Sequence, residues 1–138
     1  YSRYYAAQRG LFIKANLFYE QEEWQEASEV YEKLYTTYPD SHLSRVSMFN
    51  AAAAQEELGN TETAIDIHIE YVDRYTDEAP ELPHSKFSLG RLYESLEDFE
   101  EAARYYNDLI DNHGSSSWTK LARNRIISFK TAGILDQE

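Results

Sequence analysis

"EEWQEASEVYEKLYTTYPDS", residues 22–41, places Trp24, Ala27, Tyr31 and Leu34 at helical spacing and closes on Tyr38-Pro39-Asp40-Ser41. Apolar residues three and four apart line one face of an α-helix. Pro39 ends that helix, because the residue ahead of a proline avoids the α region. One amphipathic helix with a stop signal would say little about function, but the pattern returns. Trp24-Gln25-Glu26-Ala27, Thr61-Glu62-Thr63-Ala64 and Phe99-Glu100-Glu101-Ala102 superimpose with their alanines 37 and 38 residues apart. A fixed period of roughly 20–50 residues signals stacked repeats.

The rest of the register agrees. Ala15, Ala52 and Gly90 fall together, with Phe18, Gln55 and Tyr93 three residues on, and Tyr31, His68 and Tyr106 on the following helix. Small residues at two places per repeat let helix backbones approach, and the bulky residues between them fill the groove. Gly59 supplies a left-handed helix end, Pro80 and Pro83 mark another junction, and "NHGSSSW" at 112–118 a last one. Ser41, Asn60 and Asp98 are candidate N-caps, the last forming a capping box with Glu101. The spacing predicts helices at 3–21, 24–37, 42–58, 61–75, 83–96, 99–112 and 116–131, joined by short turns that favour antiparallel neighbours. No stretch alternates like a strand, so the chain reads as all-α.

These residues resemble the tetratricopeptide repeat family. Its helix-turn-helix unit places a Gly or Ala, an aromatic, an Ala, another aromatic and a Pro at the offsets held by Ala15, Phe18, Trp24, Ala27, Tyr31 and Pro39. Leu89, Gly90, Tyr93, Phe99, Ala102 and Tyr106 follow the same plan. The resemblance implies an α-solenoid of three hairpins (repeats about 8–40, 41–79 and 80–114) closed by a capping helix at about 116–131, all in one domain over 1–138. The departures are Gln55, His68, Thr76 and Gly114, and a period longer than the family's usual ~34 residues. That longer turn resembles a subclass in bacterial cell-envelope proteins, including outer-membrane assembly lipoproteins and Tol-Pal periplasmic coordinators. It implies a periplasmic or envelope setting, with the cytoplasm as the alternative.

Composition narrows the partners. The 25 acidic residues exceed the 13 basic ones, giving a net charge of −12, which repels nucleic-acid phosphates and anionic lipid headgroups. Neither nucleic acid nor direct membrane insertion is expected, and no apolar run approaches the roughly 20 residues of a bilayer span. With no cysteine there is no disulfide framework and no thiolate metal site. The opening "YSRYYAAQRG" has no initiator Met and no signal-peptide pattern, which reads as a mature or excised piece of a longer protein.

No catalytic constellation emerges. His42, His68, His84 and His113 are dispersed without HExxH spacing, and there is no phosphate loop, EF-hand or GxSxG. Glu22, Glu23, Glu26 and Glu29 read as a solvated helix face. The expectation is therefore a non-enzyme without metal or cofactor.

What the repeats imply instead is a concave wall made of each hairpin's first helix. Its binding candidates are Phe12, Asn16, Tyr19 and Glu20 in the first repeat, Phe49, Glu56 and Glu57 in the second, and Phe87, Arg91 and Glu94 in the third. The phenylalanines recur at one offset and could grip an extended or helical segment. Asn16 and Arg91 could hold carbonyls or a carboxylate, and the glutamates could attract Lys or Arg. The same ring pattern is also what simple packing on a neighbouring helix produces. The expected function is thus a protein–protein interaction module for a peptide or protein segment of basic or neutral character. The alternatives are a structural assembly or homo-oligomerisation platform and a regulatory domain of a larger protein.

Overall fold

The computed structural model describes residues 3–75 and 79–136. Thr76, one of the departures noted above, lies outside them. Among the described residues there are seven α-helices and no strand: α1 (Arg3–Glu20), α2 (Trp24–Thr37), α3 (His42–Glu57), α4 (Thr61–Arg74), α5 (Leu82–Ser95), α6 (Phe99–Asn112) and α7 (Ser117–Thr131). Every end lies within one residue of the predicted span. Pro83 falls in the first turn of α5, where its missing N–H costs nothing, so it helps to start that helix.

The chain divides into two compact units, residues 1–75 and 76–138. In the first, α1 pairs with α2 and α3 with α4, α2 packs on α3, and α1 lies beside α3. In the second, α5 pairs with α6, and α7 packs on both. The alanines found by superposition are the contact points: Ala15, Ala27, Ala52, Ala64 and Ala102 are all fully buried. Gly90 has the tightest seat, for a β-carbon built there would stand 2.3–2.8 Å from three atoms of the Tyr106 ring. Tyr31, Tyr71 and Tyr106 are buried beside them. Leu34 and Leu109 are also wholly buried, each contributing about 1.5–3 kcal/mol relative to an exposed side chain.

Each hairpin closes with the same backbone motif. The residue at its left-handed position is Glu22 (φ 59°), Gly59 (φ 81°) or Glu97 (φ 60°). In each case its N–H and the next one reach back into the preceding turn: Glu22 to Tyr19 and Glu23 to Phe18, Gly59 to Glu56 and Asn60 to Gln55, Glu97 to Glu94 and Asp98 to Tyr93. This paired bonding satisfies carbonyls that a helix end leaves open. Of the three predicted N-caps, Ser41 accepts from Leu43 N and Asp98 from Glu101 N. Asn60 does not cap α4; its amide donates to Gln55 Oε1 at 2.8 Å, because Gln55 is itself anchored to Ser28 across the interface.

The α2–α3 and α6–α7 joints share one design. Ser44 Oγ donates to the Tyr38 carbonyl at 2.6 Å and also lies within reach of the Leu34 carbonyl, tying α3 to the end of α2. At the α6–α7 joint, 75 positions on, Thr119 Oγ1 makes the same two bonds to the carbonyls of His113 and Leu109. Ser116 caps α7 through Trp118 N as Ser41 caps α3 through Leu43 N. α7 therefore enters as another first helix would.

Candidate interaction face

The predicted wall residues sit on α1, α3 and α5. In the first unit α1 and α3 lie side by side, and Tyr31 rises from α2 between them. Its hydroxyl donates to Asn16 Oδ1 on α1 and also bonds with Asn50 on α3. Burial pushes the Tyr31 phenol up to about 12, partly opposed by the Asn50 bond. Tyr19, one turn along α1, stacks edge-on against Trp24 at 4.8 Å and lies near Tyr31. Burial raises its phenol, and the negative field of Glu57 and Glu56 adds to that rise. The structure thus brings Asn16, Tyr19, Glu56 and Glu57 to one face, acidic at the C-terminal ends of α1 and α3.

The three phenylalanines are half-buried, and each leans on its own hairpin's second helix. Phe12 meets Tyr31 at 6.4 Å, Phe49 meets His68 at 5.6 Å and Tyr71 at 6.4 Å, and Phe87 meets Tyr106 at 5.5 Å. Such tilted and edge-on pairs each contribute about 0.5–1.5 kcal/mol beyond area burial. The rings therefore support the hairpins while their outer edges remain at the surface.

In the second unit Glu94 is engaged within the chain. Arg125, from α7, grips it with two hydrogen bonds of 3.0 and 2.7 Å, and the Tyr106 hydroxyl donates to it at 3.1 Å. The Tyr106 phenol is raised by burial first and by Glu94 second. Arg91 is exposed on the same helix, and its positive field reaches Tyr106. Tyr106 therefore repeats the role of Tyr31: a tyrosine from a second helix links two neighbouring helices, α5 and α7 here, α1 and α3 there. Trp118 stacks flat on His84 at 3.9 Å and lies against Phe87, securing α7. Lys86, almost fully buried, reaches Asp108 at 2.7 Å and donates to His113 Nε2 at 2.9 Å. Burial alone would raise the Asp108 carboxyl, but its bonds to Lys86 and Asn112 hold it below the usual carboxylate range.

Asn50 and Arg125 belong to these polar bridges and were absent from the sequence-derived set. The recurrence of Tyr31 and Tyr106 is the signal that could have led to them, since each buried hydroxyl must find a partner on an adjacent helix. Among the described residues no group of three or more His, Asp or Glu side chains gathers as a metal site, and no helix is long and apolar enough to cross a membrane.

Comparison with known proteins places this geometry. Residues 9–41 and residues 83–112 each match a family model described as a tetratricopeptide repeat. A TPR repeat-containing protein of Treponema pallidum (strain Nichols) is 26% identical over 119 residues, covering 86% of this chain and 49% of that protein. The chain thus spans about half the length of that curated relative. The TPR2AB domain of yeast Sti1, solved as a complex with pHSP90, superimposes with a TM-score of 0.76 at 25% identity over 93% of this chain and 49% of the other. The TPR-like repeats of a Podosopora anserina kinesin light chain superimpose with a TM-score of 0.70 at 15% identity, over 96% and 69% of the two chains. The fold class is all-α, an α-solenoid of tetratricopeptide-type hairpins.

Proposed function

For a chain whose residues 9–41 and 83–112 each match a tetratricopeptide repeat model, we propose a non-catalytic interaction module that binds a basic peptide or protein segment on its first-helix faces. The observation that carries this reading is the convergence of Asn16, Tyr19, Glu56 and Glu57 on one acidic face of the first unit. Asn16 would orient a peptide amide, the rims of Phe12 and Phe49 would offer apolar contact, and Glu20, Glu56 and Glu57 would receive Lys or Arg. Within the second unit, Arg125 on Glu94 shows the kind of pairing that such a carboxylate makes with a guanidinium. Within that unit, Phe87 and Arg91 would offer contacts of the same kind. The Sti1 neighbour, solved with pHSP90, supports protein binding as the use of this fold.

We place the module in a bacterial envelope complex. Support comes from the 37- and 38-residue spacing and from a relative of bacterial origin. The test is calorimetric titration with a Lys/Arg-Leu peptide and with its Asp/Glu-Leu counterpart. The basic peptide should bind with an affinity that falls as salt rises, and Glu56→Lys with Glu57→Lys should abolish it. The double variant Phe49→Ala and Phe87→Ala should weaken binding while the circular dichroism stays helical. Equal affinity for the acidic peptide, or indifference to all four substitutions, would rule the reading out. An assembly role has an observation of its own, the exposed Ile13 and Leu17 on α1.

A further inference from the structure

Two helices, α3 and α7, turn a stripe towards the hairpin before them. On α3 the stripe is Ser44, Ser47, Ala51 and Ala54, and α2 lies on it: Ser44 bonds carbonyls of Leu34 and Tyr38, and Gln55 bonds Ser28. On α7 it is Thr119, Ala122, Ile126 and Phe129, and α6 lies on it, with Thr119 bonded to carbonyls of Leu109 and His113. The second position of the stripe is small in both, Ser47 and Ala122, each with no exposed surface. The Ser47 hydroxyl has no hydrogen-bond partner, so what that place selects is size. Counting back 37 residues from α3 gives Ala7, Gly10, Lys14 and Leu17 on α1. All four are exposed, Leu17 by 52%, and a β-carbon added at Gly10 would meet nothing within 4 Å.

We infer that this stripe of α1 is a seat for the second helix of a further tetratricopeptide-type hairpin, with Gly10 as the point of close approach. The occupant is an acidic, amphipathic helix of the α2 kind. The register shared with the α2–α3 and α6–α7 joints sets its position, with Ala7 standing where Ser44 and Thr119 donate their hydroxyls, and charge sets its chemistry. α1 carries Arg3, Arg9 and Lys14 against Glu20, with Lys14 inside the seat, whereas α2 carries Glu26, Glu29 and Glu32 against Lys33. At α7 the register of Ala15, Ala52 and Gly90 reaches Ile127, a branched side chain 59% exposed, in place of the small residue of the three earlier first helices. This inference concerns a surface separate from the peptide-binding face proposed above and stands whether or not that face binds.

The test extends the full chain by grafting a copy of residues 22–40 directly ahead of Tyr4, which preserves the 37-residue register. The graft should raise the thermal midpoint by several degrees and slow hydrogen exchange of the α1 amides at least about tenfold. Gly10→Arg separates the explanations by sign: it should raise the midpoint of the parent chain, where the site is open and glycine disfavours the helix, and lower that of the extended chain. As a second measurement, excess free peptide 22–40 should protect the α1 amides of the parent but not those of its Gly10→Arg variant. An extended chain that melts with the parent, a gain that survives Gly10→Arg, or a gain that appears only with rising protein concentration would each overturn the inference.

Discussion

Replacing Gly90 by alanine tests the packing on which the third hairpin rests. An exposed mid-helix glycine replaced by alanine gains about 1 kcal/mol, because alanine has the higher helix propensity. At Gly90 the new methyl would stand 2.3, 2.7 and 2.8 Å from Cε1, Cδ1 and Cζ of Tyr106. That ring has little room to give: it is buried, flanked by Phe87 and Phe129, and held through its hydroxyl by Glu94. Overpacking of this kind costs about 1–3 kcal/mol. With three ring atoms in collision we take about 3 kcal/mol, and subtracting the propensity gain leaves a net loss of about 2 kcal/mol. For 138 residues that is a fall in Tm of roughly 8 °C, at about 4 °C per kcal/mol. Gly10→Ala is the matched control, with the same chemical change at an unobstructed site; it should raise Tm by about 4 °C. Thermal melts followed by circular dichroism give both numbers. A Gly90→Ala protein as stable as the parent would refute the argument that the α5–α6 approach requires the absence of a β-carbon.

Glu22→Gly and Glu97→Gly should each stabilise the protein by about 0.5–1 kcal/mol in urea titrations, because a non-glycine residue in the left-handed region costs about 1–2 kcal/mol and glycine gives part of that back as chain entropy. Tyr31 and Tyr35 have phenols pushed up to about 12, chiefly by burial. A group whose folded-state value is raised contributes stability that is present below the unfolded value near 10 and is lost as pH climbs towards 12. Ultraviolet titration should therefore show these two ionising together with loss of helix across that window, and reversible ionisation of a still-helical protein would contradict it. Arg125→Gln should destabilise the second unit by about 1 kcal/mol or less, since the pair is partly solvated. A double-mutant cycle with Glu94→Gln should show a coupling that shrinks in high salt.

The fold was legible because its signals are periodic and local. Ala27, Ala64 and Ala102 mark close contacts wherever they fall, and Pro39 and Gly59 stop helices by backbone sterics alone. The turns at Glu22 and Glu97 were not legible as left-handed, since nothing in glutamate announces that conformation; only the register shared with Gly59 reveals it. Asn60 looked like a cap, but its amide went to Gln55, a competition that local sequence does not record. The candidate face was legible only as a set of helix positions. Helical spacing grouped Asn16 with Tyr19 and Glu56 with Glu57, and α1 beside α3 brought the two groups near each other. The spacing could not show that Arg125, from the final helix, would hold Glu94, because that contact joins residues 31 positions apart.

The hydroxyls of Ser44 and Thr119 have a consequence for how the length of this protein can change. Each takes hold of two carbonyls on the helix before it. Adding one residue to either joint would swing that hydroxyl about 100° around its helix axis and release both carbonyls together. The linkers can exchange many of their side chains, as Tyr-Pro-Asp-Ser and His-Gly-Ser-Ser show, yet they cannot drift in length by single steps. Viable lineages of this chain should therefore vary these joints freely in letters and hardly at all in count.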